Sequence, residues 1–196
     1  MQYLSCADTA KLVRQALKEA FPGIKFSVRS STYSGGASIR VGWIDGPNAA
    51  QVEAVAKVFE GAYFDGMQDY KGSLSALVDG VVTSFGADYI FCERGNSDAA
   101  VQRAIDSVYR RLQGNFEERG IAKPTLAEYR SGNLCNVAIT TSGWDAYWNL
   151  QSWITRTVVK ASDRLAVAKS KTAGKVIQLG GDGYGQGGTL QVAEVA

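Results

Sequence analysis

Hydrophobic positions in this 196-residue chain follow two periods in turn, and the switches between them mark the elements. Leu12, Val13, Ala16, Leu17, Ala20 and Phe21 recur at helical spacing. They predict a first helix capped by Asp8, with Ser5 three residues earlier, and stopped by Pro22-Gly23. The period then becomes two: Ile24, Phe26 and Val28 alternate with Lys25, Ser27 and Arg29, and Ile39, Val41 and Trp43 with Ser38, Arg40 and Gly42. That alternation predicts two strands joined by a turn at Tyr33-Ser34-Gly35-Gly36. Asp45-Gly46-Pro47 breaks the second strand and opens a second helix, with Val52, Val55, Ala56 and Phe59 on one side and Gly61 at its end. After a loop at 61–73, LSALVDGVVTSFGADYIFCERG predicts a second pair of strands, roughly 76–83 and 87–93. Asn96-Ser97-Asp98 caps the longest helix, in which Val101, Ile105, Val108, Leu112 and Phe116 recur three and four apart.

Beyond Gly120 the pattern is looser. Residues 120–135 read as a linker with a short helix at Thr125–Arg130, and Asn136–Thr141 as a strand. Ile154, Val158, Ala161, Leu165 and Ala168 form a helical stripe, although Thr155, Thr157, Val158 and Val159 prefer strands. The final 20 residues are dense in glycine and are expected to be poorly ordered. An antiparallel sheet of two hairpins with amphipathic helices on one face buries all three stripes at once. The expected fold class is therefore α+β, with a domain at 1–119 and a C-terminal extension, α/β in character, at 120–196.

Composition narrows the function classes. Apolar residues make up 45% and charged residues 20%, a balance suited to a packed core. No run of about 18 apolar residues occurs, and the N-terminus lacks a basic start followed by an apolar stretch, so neither a membrane span nor a signal peptide is expected. A cytoplasmic location in a host cell follows as the expectation. Cys6, Cys92 and Cys135 are too few and too scattered for a disulfide framework or a zinc motif, and read as buried free thiols. Histidine is absent, which removes Ser–His and Cys–His pairs and the usual general base near neutral pH. No enzyme activity and no cofactor are expected. Charge is uneven: residues 1–45 carry +3, 46–100 carry −5 and 101–196 carry +4, recovering the overall +2.

Three stretches, DTAKLVRQALKEAFPGIKFSV, SGGASIRVGWIDGP and FEGAYFDGMQDY, with GADYIFCER as a continuation, resemble the large polyvalent-protein-associated domains of phages and conjugative elements. The resemblance covers residues 1–95, about half the chain, and rests on turn, cap and core positions. It implies a gene carried by a mobile element, a setting in which small accessory proteins counter host defences such as restriction and CRISPR systems. It carries over no catalytic residues. The expectation it supports is an anti-CRISPR-like inhibitor that binds and blocks an immune effector. Its partner would be a host defence protein or ribonucleoprotein complex. Direct contact with nucleic acid and a homodimer stay open. The alternatives are a single-stranded nucleic-acid binder aiding DNA entry or replication and, more weakly, a metal-dependent nuclease.

Candidate sites follow from these elements. Lys25, Ser27 and Arg29 share a face with Ser38 and Arg40; joined by Tyr89 and Phe91 from a later strand, they would let bases stack beside guanidinium groups. The plainer alternative turns Tyr89 and Phe91 into the core. Between 154 and 176, Arg156, Lys160, Arg164, Lys169, Lys171 and Lys175 face Asp163 alone, and the first three step by four along a helix, able to meet phosphates or an acidic protein. Trp144, Trp148 and Trp153 with Tyr147 form an aromatic group, either a core or an anchor for a partner. Asp65 and Asp69, with Asp79 and Asp88, could attract a divalent cation but fit turns and caps more simply. Gly183, Gly185 and Gly188 spell G-x-G-x-x-G, yet too few residues follow for a dinucleotide fold.

Overall fold

A computed structural model describes residues 1–140, 148–162 and 165–181. The chain is α+β and divides into two compact units. One comprises Met1–Arg94 with the described residues from Ala166 onward, the other Gly95–Leu165. The division falls neither at 119 nor at 120. The long helix after residue 97 buries its stripe among later helices, and the chain then returns to the first unit.

The first unit opens with β1 (Gln2–Leu4) and α1 (Cys6–Ala20). Ser5, not Asp8, is the N-cap: its Oγ accepts the Asp8 N–H and donates to the Asp8 carboxylate. The helix buries Val13, Ala16, Leu17 and Ala20, as the stripe predicts. The hairpin follows as β2 (Ser27–Tyr33) and β3 (Gly36–Ile44), with Val28 beside Val41 and Arg29 beside Arg40. The first strand starts three residues later than expected, leaving Lys25 exposed ahead of it. A capping box of Asn48 and Gln51 starts α2 (Ala49–Ala56), and the turn Lys57–Phe59 extends it.

The loop expected at 61–73 instead contains β4 (Ala62–Asp65) and the start of β5 (Tyr70–Val78), which pair antiparallel. β5 turns back through Asp79 (φ 48°) and Gly80 (φ 82°) into β6 (Val81–Phe85). Positive φ at both central residues is what an Asp-Gly hairpin turn requires, and the strands of the second hairpin begin six residues earlier, at 70 and 81, than the apolar run suggests. The chain leaves this sheet at Gly86, whose N–H donates to Leu4 O at 2.7 Å. It enters the other at Asp88, whose N–H donates to Ala37 O at 2.8 Å. β7 (Tyr89–Gly95) therefore joins β2 and β3.

The result is two sheets where one was expected. One has the order β2-β3-β7; the other runs β1-β6-β5-β4 and also takes a last strand, β8 (Val176–Gly181), against β5. β1 lies parallel to β6, so the antiparallel expectation fails for that pair. β8 lies inside the tail expected to be poorly ordered, while Gly183, Gly185 and Gly188 lie outside the described residues. Leu17, Phe21, Ile39, Val41, Phe59, Phe85 and Ile90 belong to one buried cluster. Glu19 holds the returning segment: its carboxylate accepts from Ser170 Oγ at 2.8 Å, Thr172 N at 2.9 Å and Thr172 Oγ1 at 3.0 Å.

The second unit contains α3 (Asp98–Arg111), α4 (Gln113–Glu118), α5 (Leu126–Arg130) and α6 (Leu150–Lys160). Ser97 caps α3, and the predicted single helix to Phe116 breaks at Leu112. Its core gathers Val101, Ile105, Val108, Phe116, Ile139, Leu150 and Ile154. The strand expected at 136–141 is reduced to one bridge, Ala138 with Asn149. The stripe to Ala168 stops being helical at Lys160.

Candidate docking face

In a directly opposed antiparallel pair both side chains stand on one side of the sheet, so Arg29 and Arg40 share the outer face of β2 and β3. The opposite side carries Val28, Ile39 and Val41 into the core. β7 alternates in the same way, with Ile90 buried and Phe91 47% exposed. The plainer expectation, in which Tyr89 and Phe91 enter the core, is thereby overturned. Their rings lie 6.4 Å apart. The Arg40 guanidinium sits 5.9 Å from the Phe91 centroid and pairs with Glu93 at 3.1 Å. Lys71, from the start of β5, lies 6.0 Å from the Tyr89 centroid and pairs with Asp88 at 2.8 Å.

These are exposed contacts. Ion pairs of this kind contribute about 0–1 kcal/mol and exposed cation–π contacts about 0.5–1 kcal/mol, so they orient side chains more than they stabilise the fold. Their effect on charge is larger. Arg40 and Lys71 are each matched by an acid, and among the five charged groups here only Arg29 makes no ion pair among the described residues. An aromatic surface with balanced charge results. Lys25 does not join it, and Ser38, expected on the face, is buried.

Lys71 and Glu93 escaped the sequence reading. Alternation places Glu93 two residues beyond Phe91, a usable signal, whereas nothing local brings Lys71 from β5 to β7. The four aspartates considered for a cation do separate work. Asp65 accepts the Met67 N–H, Asp69 occupies a turn at φ 50°, Asp79 makes the hairpin turn and pairs with Lys175, and Asp88 accepts the Ala37 N–H at 2.9 Å. Among the described residues no group of three or more acids, cysteines or histidines could hold a metal ion. Glu60, raised above the usual carboxylate range by burial, accepts the Ile90 N–H at 2.7 Å and so anchors β7. Burial pushes the Cys92 thiol up to about 12.

In the second unit Arg156 and Lys160 lie on α6 as predicted, while Arg164 and Trp144 fall outside the described residues. Trp148 is half-buried, with the Arg156 guanidinium 4.3 Å from its ring. Trp153 is in the core, and Arg111 stands 4.7 Å over it. Among the described residues, no helix is long and apolar enough to cross a membrane.

Residues 4–97 match the family model of large polyvalent protein associated domain 29. The matched segment spans both sheets of the first unit except β8 and the first two residues of β1. No curated protein and no solved structure gives a significant match.

Proposed function

We propose, for a chain whose residues 4–97 belong to the large polyvalent protein associated domain family, that it is a mobile-element accessory protein acting by binding rather than by chemistry. In this reading it counters host defence as an anti-CRISPR-like inhibitor, and the outer face of the β2-β3-β7 sheet docks on the immune effector. One observation carries it: Phe91 stands open, with half-buried Tyr89 next to it, beside cations already neutralised by Glu93 and Asp88. Arg and aromatic residues are enriched at protein interfaces, and matched charges suit a protein surface better than a phosphate backbone. Family membership supplies the mobile-element setting.

The test is expression in bacteria carrying a panel of defence systems, CRISPR effectors among them. The chain is expected to abolish immunity by one system and to co-purify with that effector. Immunity retained throughout the panel refutes the proposal.

A second reading has its own observation. Arg29, without an ion pair among the described residues, stands directly opposite Arg40 and near two stackable rings, an arrangement able to hold a single strand. It predicts a gel shift at low salt that Arg29→Ala with Arg40→Ala removes. Absence of any shift eliminates it.

A further inference from the structure

Helices α3 and α6 pack together within the second unit and leave between them a cavity of about 530 Å³. Ser107 and Arg111 line it from α3; Trp153, Arg156, Thr157 and Lys160 line it from α6. Spacings of four on α3, and of three and four on α6, put these residues on the facing sides of the two helices. Three cations converge there, and among the described residues none is paired with an acid. On the sheet face, by contrast, two of the three cations, Arg40 and Lys71, are matched by acids.

The two guanidinium groups are also held in place. Arg111 lies 4.7 Å over Trp153, Arg156 lies 4.3 Å over Trp148, and the two indoles are 6.0 Å apart. A guanidinium stacked on a ring keeps its edge N–H donors free, and those donors match the oxygens of a phosphate in a fork. The stacking orders the side chains before any ligand arrives, so less freedom is lost on binding. The Trp153 indole N–H, buried and without an acceptor among the described residues, is a further donor on a wall residue. The volume falls within the range of small-ligand sites, and the lining is mostly cationic and polar.

We propose that this groove binds the phosphate of a nucleotide, free or at the end of a strand. Arg111 and Arg156 grip the phosphate oxygens, Lys160 adds a third charge, and the Ser107 and Thr157 hydroxyls are available to the remainder of the ligand. The site is independent of the sheet face, which belongs to the other unit and uses none of these residues.

Calorimetry on the full chain tests it with four probes: adenosine, AMP, and one short oligonucleotide with either a 5′-phosphate or a 5′-hydroxyl. AMP is expected to bind at least tenfold more tightly than adenosine. A preference for the 5′-phosphorylated strand over AMP assigns the strand end; the reverse assigns the free nucleotide. Arg156→Gln and Lys160→Gln should each weaken binding about tenfold or more, and Arg156→Lys, which keeps the charge but loses the fork, several-fold. Lys18→Gln, on α1 in the other unit, should leave it unchanged. Lys160 is exposed at the helix end, so its variant tests the charge in a folded protein even where Arg156→Gln destabilises α6. Binding of none of the probes at millimolar concentration, or AMP affinity untouched by Lys160→Gln and Arg156→Lys, overturns the proposal.

Discussion

Phe91→Ala separates a docking role from a structural one. The ring is 47% exposed in the free protein. A large aromatic side chain presents roughly 150–250 Å² that can be buried, so about 90 Å² of Phe91 remains open to a partner. At about 25 cal/mol per Å², covering it contributes about 2 kcal/mol, or roughly 30-fold in affinity. The covered half already packs in the sheet. A fully buried Phe→Ala change costs about 3–5 kcal/mol, and half of that environment gives about 1.5–2.5 kcal/mol of lost stability. The variant should therefore fold, melt a few degrees lower, and lose most of its affinity for the effector that it blocks. Phe64→Ala is the control: Phe64 is 57% exposed on β4, in the other sheet, and should lose similar stability with affinity intact. Denaturant melts and calorimetry against the purified effector read both quantities. Full blocking by a folded Phe91→Ala protein would refute the assignment of this face.

Three further outcomes rest on other parts of the fold. Hydrogen bonds and Glu19's position beside Thr172, Gln15 and Ser170 hold its carboxyl down to about 2 from 4.5, so its contribution is full above pH 4.5 and is lost as pH falls toward 2. The gap between the melting curves of wild type and Glu19→Gln should narrow as pH falls from 4.5 to 2.5; a constant gap would contradict this. Gly61 donates to Ala87 O and accepts from Leu74 N, both at 2.8 Å, and a Cβ there would overlap Phe85 O. Gly61→Ala should lose more than about 3 kcal/mol in guanidinium melts, against about 1–2 kcal/mol for Gly35→Ala, where φ is +87° but space is open. Equal losses would argue against the close approach. A thiol reagent at pH 8 should label exposed Cys135 rapidly and buried Cys6 and half-buried Cys92 only on unfolding, since burial raises both of these thiols. Fast labelling of Cys92 would show that β7 opens.

What the sequence determined alone is what neighbours in the chain can express. The stripe Val13–Leu17–Phe21 and the alternation around Arg40 fix helix and strand because side-chain direction repeats with the local period. Turn glycines do the same at Gly35, and a family resemblance carried by such positions marks the Met1–Arg94 segment of the first unit but not the return from Ala166. The Asp79-Gly80 turn was equally legible and was missed by following the apolar run across it. Other features were settled only in three dimensions. The transfer of β7 to the first hairpin's sheet depends on Gly86 and Asp88 finding acceptors at Leu4 and Ala37, some fifty to eighty residues away. Lys71 reaches Tyr89, and Arg111 reaches Trp153, through packing that no spacing along the chain encodes. Whether a surface cation stays free or is neutralised is likewise a tertiary fact. It depends on which acid a distant strand or helix brings within 4 Å, and on that distinction the sheet face and the helical groove part company.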